Sequence, residues 1–394
     1  MVKISGRIVI LAVLLAFIAF TGAAFGDINL NEEQLINEQL NQLNLDELNE
    51  FIRQIDEEMM SYFPELSLRN IIENIRNGEL DLSLAGILQG MVRMLFKEVI
   101  ANGELLAKLV ILTVVCAILH TLLAAFDQGT TAKLAYAIAY LVLVVLAVGS
   151  FIVAMNIGKE AIERMVTFMQ VLLPILLTLL TAMGGITTAA LLHPVMILSL
   201  SLLGTVITSI VLPLIYLSAI LAIVNQISSR LQVSRLISLF KQISLGILGA
   251  CLTVFVGVIS IQGVAGAVAD GVAIRTAKFM TGAFIPIVGR MFSDVMEAVI
   301  GTAILLKNAM GIVGVLIIFS LTVIPAIKIV VIALIYRVAA ALIQPIDESG
   351  VGECLESMSG SLIMTFAAVA AVGIMFFMAV TIIVSAGNLT VMLR

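Results

Sequence analysis

The sequence predicts an all-α, polytopic helical membrane protein of about eight to nine spans, preceded by an exported acidic helical region. Three observations carry this. The 394 residues are 61% hydrophobic and only 12% charged, with a mean hydropathy of +1.18, and a soluble domain of that length has no use for so much apolar surface. Apolar runs of bilayer length recur from Leu105 to the C-terminus. The acids concentrate before residue 105, so the net charge of −5 belongs mostly to one region.

Residues 1–26 read as a signal peptide. Lys3 and Arg7 form a positive start, Ile8–Phe20 a short apolar core, and Ala24-Phe25-Gly26 a small-residue cleavage site; an uncleaved anchor is the alternative. Residues 27–104 form the exported acidic amphipathic region. Ile36, Leu40, Leu43, Leu48, Phe51, Ile55 and Met59 recur at helical spacing among its acids. A second amphipathic segment, Leu84–Glu104, sets Met91, Leu95 and Val99 against Arg93 and Lys97 and is expected along the membrane surface.

Residues 105–262 hold the first spans. Leu105–Phe126, Leu134–Met155 and Met165–Met183 each fit one crossing, the last two separated by a charged loop, Lys159–Arg164. Ile186–Gln226 is long enough for two spans, with Pro194 and Pro213 as kinks. The segment 228–242 carries Arg230, Arg235 and Lys241 and is assigned to the cytoplasmic side. Ser244–Gln262 is the next span. Residues 309–394 hold the last ones, Ala309–Pro325, Ile327–Pro345 and Ser361–Ala386. Counting crossings from an exported Asp27 places the acidic loop Asp347, Glu348, Glu353 and Glu356 outside and the C-terminus in the cytoplasm.

Residues 263–308 stand apart as a polar, Gly/Ala-rich hairpin or re-entrant element, turning near Pro286. Asp270, Arg275, Lys278, Arg290, Asp294, Glu297 and Lys307 are spaced through Gly, Ala, Ile and Val. Intramembrane charge is costly unless it pairs or meets water. These seven residues are therefore the candidate partner or pore surface, and a solvated helix with local ion pairs is the plainer alternative. Gly263, Ala267 and Gly271 fall four residues apart, a small-residue face for close helix packing.

Signatures of catalysis are lacking. His120 and His193 have no second histidine at ligand spacing, and neither a phosphate-binding Gly-x-x-x-x-Gly-Lys-[Ser/Thr] loop nor a Gly-x-Ser-x-Gly elbow occurs. No enzyme activity, metal or other cofactor is expected. Cys116 and Cys251 lie in apolar runs, and Cys354 in a polar loop, which implies no disulfide framework. No basic patch with interleaved aromatics points to nucleic acid.

Several strings carry a family resemblance. They are Gln262-Gly263-Val264-Ala265-Gly266, Asp270-Gly271-Val272-Ala273-Ile274-Arg275-Thr276-Ala277-Lys278-Phe279 and Phe284-Ile285-Pro286-Ile287-Val288-Gly289-Arg290 with Ser293-Asp294. Leu306-Lys307-Asn308-Ala309, Gln344-Pro345-Ile346 and Leu95-Phe96-Lys97-Glu98-Val99-Ile100-Ala101-Asn102-Gly103 extend them. Over residues 85–390 the chain resembles the stage III sporulation protein AE family of endospore-forming bacteria. The resemblance implies a multi-pass protein of the mother-cell membrane around the forespore. It implies a place in a channel or secretion-like complex, with ring-forming sporulation proteins and a separate secretion-type ATPase as partners besides the lipid bilayer. An oligomer is compatible with that setting. A stand-alone small-solute permease and a non-conducting scaffold remain the alternatives.

Overall fold

In a computed structural model of the chain, the described residues are 50–53, 84–125, 130–227, 233–284, 288–344 and 351–392. The expected signal peptide, residues 1–26, and most of the acidic region lie outside them. Helix α1 (Leu84–Ala101) meets α2 (Gly103–Ala125) at a 53° bend. Asn102 sits at that break and donates both its backbone N–H and its side-chain amide to the Glu98 carbonyl. One face of α1 buries Met94 and packs on the bundle. Leu88, Val92, Phe96 and Ile100 form an exposed apolar stripe on another face.

Long continuous helices build the rest. They are α3 (Thr130–Ala182), α4 (Ile186–Val206), which continues through a π-helical turn (Ile207–Val211) into α5 (Leu212–Ile227), α6 (Ser234–Phe284), α7 (Val288–Ile343) and α8 (Val351–Met392). Among the described residues, five helical stretches are long and apolar enough to cross a membrane, or six if the bent α1–α2 pair forms a span. This differs from the eight or nine spans that the apolar runs imply, because adjacent runs fuse. Leu134–Met155 and Met165–Met183 both belong to α3. The Lys159–Arg164 segment between them is helix, not loop, since Lys159–Glu163 (3.8 Å) and Arg164–Glu160 (3.4 Å) pair one turn apart on its outer face. Ile186–Gln226 makes one crossing; Pro213, which lacks an N–H, lies two residues past the π-helical turn that absorbs the interrupted ladder. Pro325 lies within α7, joining Ala309–Pro325 to the run after it.

The 263–308 element is likewise no separate hairpin. Its first arm is the end of α6 and its second the start of α7, and the turn at 285–287 lies outside the described residues. The α6 arm packs on α4 and α8 rather than on α7.

Inter-helix contacts fix the directions. Tyr336 of α7 joins Ser150 of α3 (2.6 Å), while Gly314 of α7 faces Leu172 of α3, so these helices are antiparallel. Thr365 of α8 donates to Met155 of α3 (3.0 Å) and Gly387 of α8 faces Leu180, so α3 and α8 are parallel. Lys241 of α6 donates to the Ser357 carbonyl (3.2 Å) and Gly263 faces Ile382, so α6 is parallel to α8 as well. The result is an up-and-down bundle with α7 and α8 at its centre. One consequence overturns an expectation. The described part of the basic segment, residues 233–242, and the start of α8, with Glu353 and Glu356, lie at the same end, and the last turn of α8 lies at the other. Sequence counting had put the first two on opposite faces because it inserted extra crossings between them.

Candidate functional site

Two charged side chains are buried at the end of the bundle opposite Lys241. Asp270 is 2% exposed and Lys307 is fully buried. Both satisfy themselves within the chain. The first turn of α4 leaves N–H groups without helical acceptors, and Asp270, projecting from α6, accepts them. Thr187 N–H bonds Oδ1 at 2.7 Å, while Thr188 N–H (2.8 Å) and Thr188 Oγ1 (2.6 Å) bond Oδ2. A carboxylate there complements the positive end of the helix dipole. The sequence itself enforces the approach. A Cβ on Gly266, one turn before Asp270, would lie 2.7 Å from the Thr188 Cα, so only glycine lets α6 come this close. Gly184, at φ +91°, makes the α3–α4 turn that presents α4 to it.

Lys307 of α7 treats α8 in the complementary way. Its Nζ donates to the Val384 carbonyl (2.8 Å) and to Asn388 Oδ1 (2.7 Å) in the last turns of that helix. A cation suits a helix C-terminus. Gly387 leaves the room: a Cβ there would lie 2.5 Å from Nζ. The neighbouring Asn308 has its Oδ1 buried with no hydrogen-bond partner among the described residues.

The candidate surface of seven charges is thus divided. Asp270 and Lys307 are interior latches, each tying two helices, and the surface reading fails for both because their polar atoms are consumed inside the chain. Arg275, one turn beyond Asp270, is exposed. Lys278, Arg290, Asp294 and Glu297 fall on α6 and α7, but their side chains lie outside what is described. Gly263, Ala267 and Gly271 are all buried on α6, with Gly263 against Ile382 and Ala386 of α8. Gly266, which the four-residue spacing passed over, makes the closest backbone approach of this group; its signal was only its place one turn before an intramembrane acid. His193 is exposed on α4, and the His120 side chain lies outside the description.

This arrangement holds helices together and carries no catalytic constellation. Among the described residues no three His, Cys, Asp or Glu side chains group as metal ligands. Comparison with known proteins places the chain more sharply. The family described as stage III sporulation protein AE matches residues 66–387. The stage III sporulation protein AE of Bacillus subtilis (strain 168) is 45% identical over 362 residues, 92% of this chain and 90% of that protein. No solved structure matches.

Proposed function

We propose, for a chain that belongs to the stage III sporulation protein AE family, that it is an integral membrane component of a multi-protein channel or secretion-like complex. That complex links mother cell and forespore during endospore formation, and the chain resides in the mother-cell membrane around the forespore. The observation that carries the reading is family membership over nearly the whole chain, joined to five or six helical stretches among the described residues that are long and apolar enough to cross a membrane. The chain supplies the bilayer-embedded part. The energy comes from a separate secretion-type ATPase, in keeping with the missing nucleotide loop. Ring-forming sporulation proteins contact its exposed polar ends, with Arg275 among the contacts.

The test is purification of the tagged chain in gentle detergent from sporulating cells, followed by identification of what accompanies it. Recovery of an ATPase and ring-forming proteins is the expected result. Recovery of the chain with no other protein moves the reading to a stand-alone permease and overturns this one.

A further inference from the structure

The exposed residues of α6 change character at one point. Ser234, Arg235, Ser238 and Gln242 are exposed in its first turns. From Ile243 to Ala273 every exposed residue is glycine or apolar except Thr253, whose hydroxyl donates to the Gly249 carbonyl of its own helix (2.9 Å). That stretch is about 45 Å long, more than the hydrocarbon core of a bilayer. Its start, between Gln242 and Ile243, is therefore the level at which this face of α6 passes from headgroups to acyl chains.

An open cleft of about 320 Å³ lies at that level, lined by Ser234, Arg235, Ser238, Leu239 and Gln242. The lining offers a guanidinium, a side-chain amide and two hydroxyls beside one apolar side chain. Arg235 makes no ion pair among the described residues, whereas Lys108, Lys159 and Arg164 each lean on a glutamate one turn away. The Ser238 hydroxyl donates to the Ser234 carbonyl (3.1 Å), an oxygen that the helix ladder also uses, so it can turn to a ligand at small cost. The frame is held on both sides. Val233 N–H bonds Asn225 Oδ1 (2.9 Å), which fixes the start of α6 to α5, and Lys241 Nζ bonds the Ser357 carbonyl of α8 (3.2 Å). The exposed acids at this end, Glu353 and Glu356, belong to α8, the helix that Lys241 faces. Arg235 precedes Lys241 by six residues, which sets it about 120° round α6 from that contact.

We propose that this cleft binds the headgroup of an anionic phospholipid. Arg235 takes the phosphate oxygens, Ser234, Ser238 and Gln242 donate beside it, and the acyl chains run past Leu239 and Ile243 onto the apolar face. A planar guanidinium with neighbouring donors matches phosphate geometry. The lipid is favoured over a free anion because Leu239 lines the cleft, and Leu236 and Ile243 are exposed next to it. That apolar surface gives a soluble phosphate nothing to bind. An anionic lipid is favoured over a zwitterionic one because the charge lining the cleft is a cation, with no carboxylate among the lining residues to meet a headgroup amine. The site is independent of any channel complex, and it makes one end of the bundle responsive to the lipid around it.

The test uses the full chain purified in detergent, with phosphatidylglycerol and phosphatidylcholine of matched acyl chains added in equal amounts and the bound lipid read by native mass spectrometry. The native chain is expected to retain phosphatidylglycerol about fivefold over phosphatidylcholine, the worth of one cation at an anionic lipid. Arg235→Gln should bring that ratio to about one, and Gln242→Leu should lower it. Both replace exposed side chains, so the fold is kept. Arg337→Gln, which removes an exposed cation of α7 outside the cleft, should leave the ratio unchanged. Equal retention of the two lipids by the native chain overturns the proposal. An equal loss with Arg337→Gln also overturns it, since the preference would then follow overall charge rather than the cleft. Displacement of the bound lipid by millimolar inorganic phosphate would assign the cleft to the free anion and overturn the lipid.

Discussion

Asp270 shows how a single residue is legible and yet misread. An acid within an apolar run demands a partner, and the sequence supplies that demand. It does not supply the partner, which is the bare N-terminus of α4, 83 and 82 residues upstream. Backbone N–H groups leave no mark in composition, so the sequence points to a surface role or a local ion pair instead. We predict that Asp270→Ala leaves these buried donors unpaired and costs about 1–3 kcal/mol, read as a lowered melting temperature of the detergent-purified protein. Asp270→Asn, which keeps one acceptor, falls between it and the native chain. Gly266→Ala should destabilise by about 1–3 kcal/mol, because a backbone atom faces the new methyl. Gly257→Ala, with nothing within 4 Å, should not. Equal stability of the two alanine variants would remove the close approach from the account. Lys307→Met is expected to cost about 1–3 kcal/mol as well, since it leaves the Val384 carbonyl and the Asn388 amide oxygen without this donor. A folded Lys307→Met protein that fails in sporulation would assign the amine a functional part beyond its latch.

At the scale of elements, hydropathy found the helices and miscounted them. The run lengths near twenty residues that identify a span also describe half of a longer helix. Charges decided the error. Lys159, Glu160, Glu163 and Arg164 read as a loop because a membrane segment rarely carries four charges, whereas paired one turn apart and facing outward they leave α3 unbroken. Pro325, which ends a span in the sequence reading, was equally poor punctuation, as helices packed on neighbours tolerate proline. The Gly/Ala-rich polar stretch after Gln262 looked like a hairpin because its composition changes, while its helical phase does not. Continuity of α6 is testable by cross-linking. A Cβ on Gly263 would lie 3.9 Å from that of Ala386, inside the range of a disulfide. Gly263→Cys with Ala386→Cys should therefore form a bond on mild oxidation. Failure of that pair to bond in the folded protein would detach the 263–284 arm from α6 and restore the re-entrant element.

For the whole molecule, membrane character and family were evident from composition and a few strings, while topology was not. The positive-inside argument gave a self-consistent answer because each fused helix had been counted as two crossings, and consistency of signs cannot detect such an error. Antiparallel helices joined by short turns leave a different pattern. The starts of α6 and α8 share one end, tied by Lys241 to Ser357, and the α3–α4 turn and the last turns of α8 share the other, tied by Asp270 and Lys307. Burial is graded at this scale too, with α7 and α8 the most buried of the long apolar helices and α6 the least. The most direct measurement is accessibility of single cysteines at Ser238, Glu353 and Met392 to an impermeant thiol reagent added from one side of the membrane. The five-crossing bundle predicts that Ser238 and Glu353 positions react together and that Met392 reacts only from the opposite side. Labelling of Ser238 and Glu353 from opposite sides would contradict it and return the chain to the higher span count.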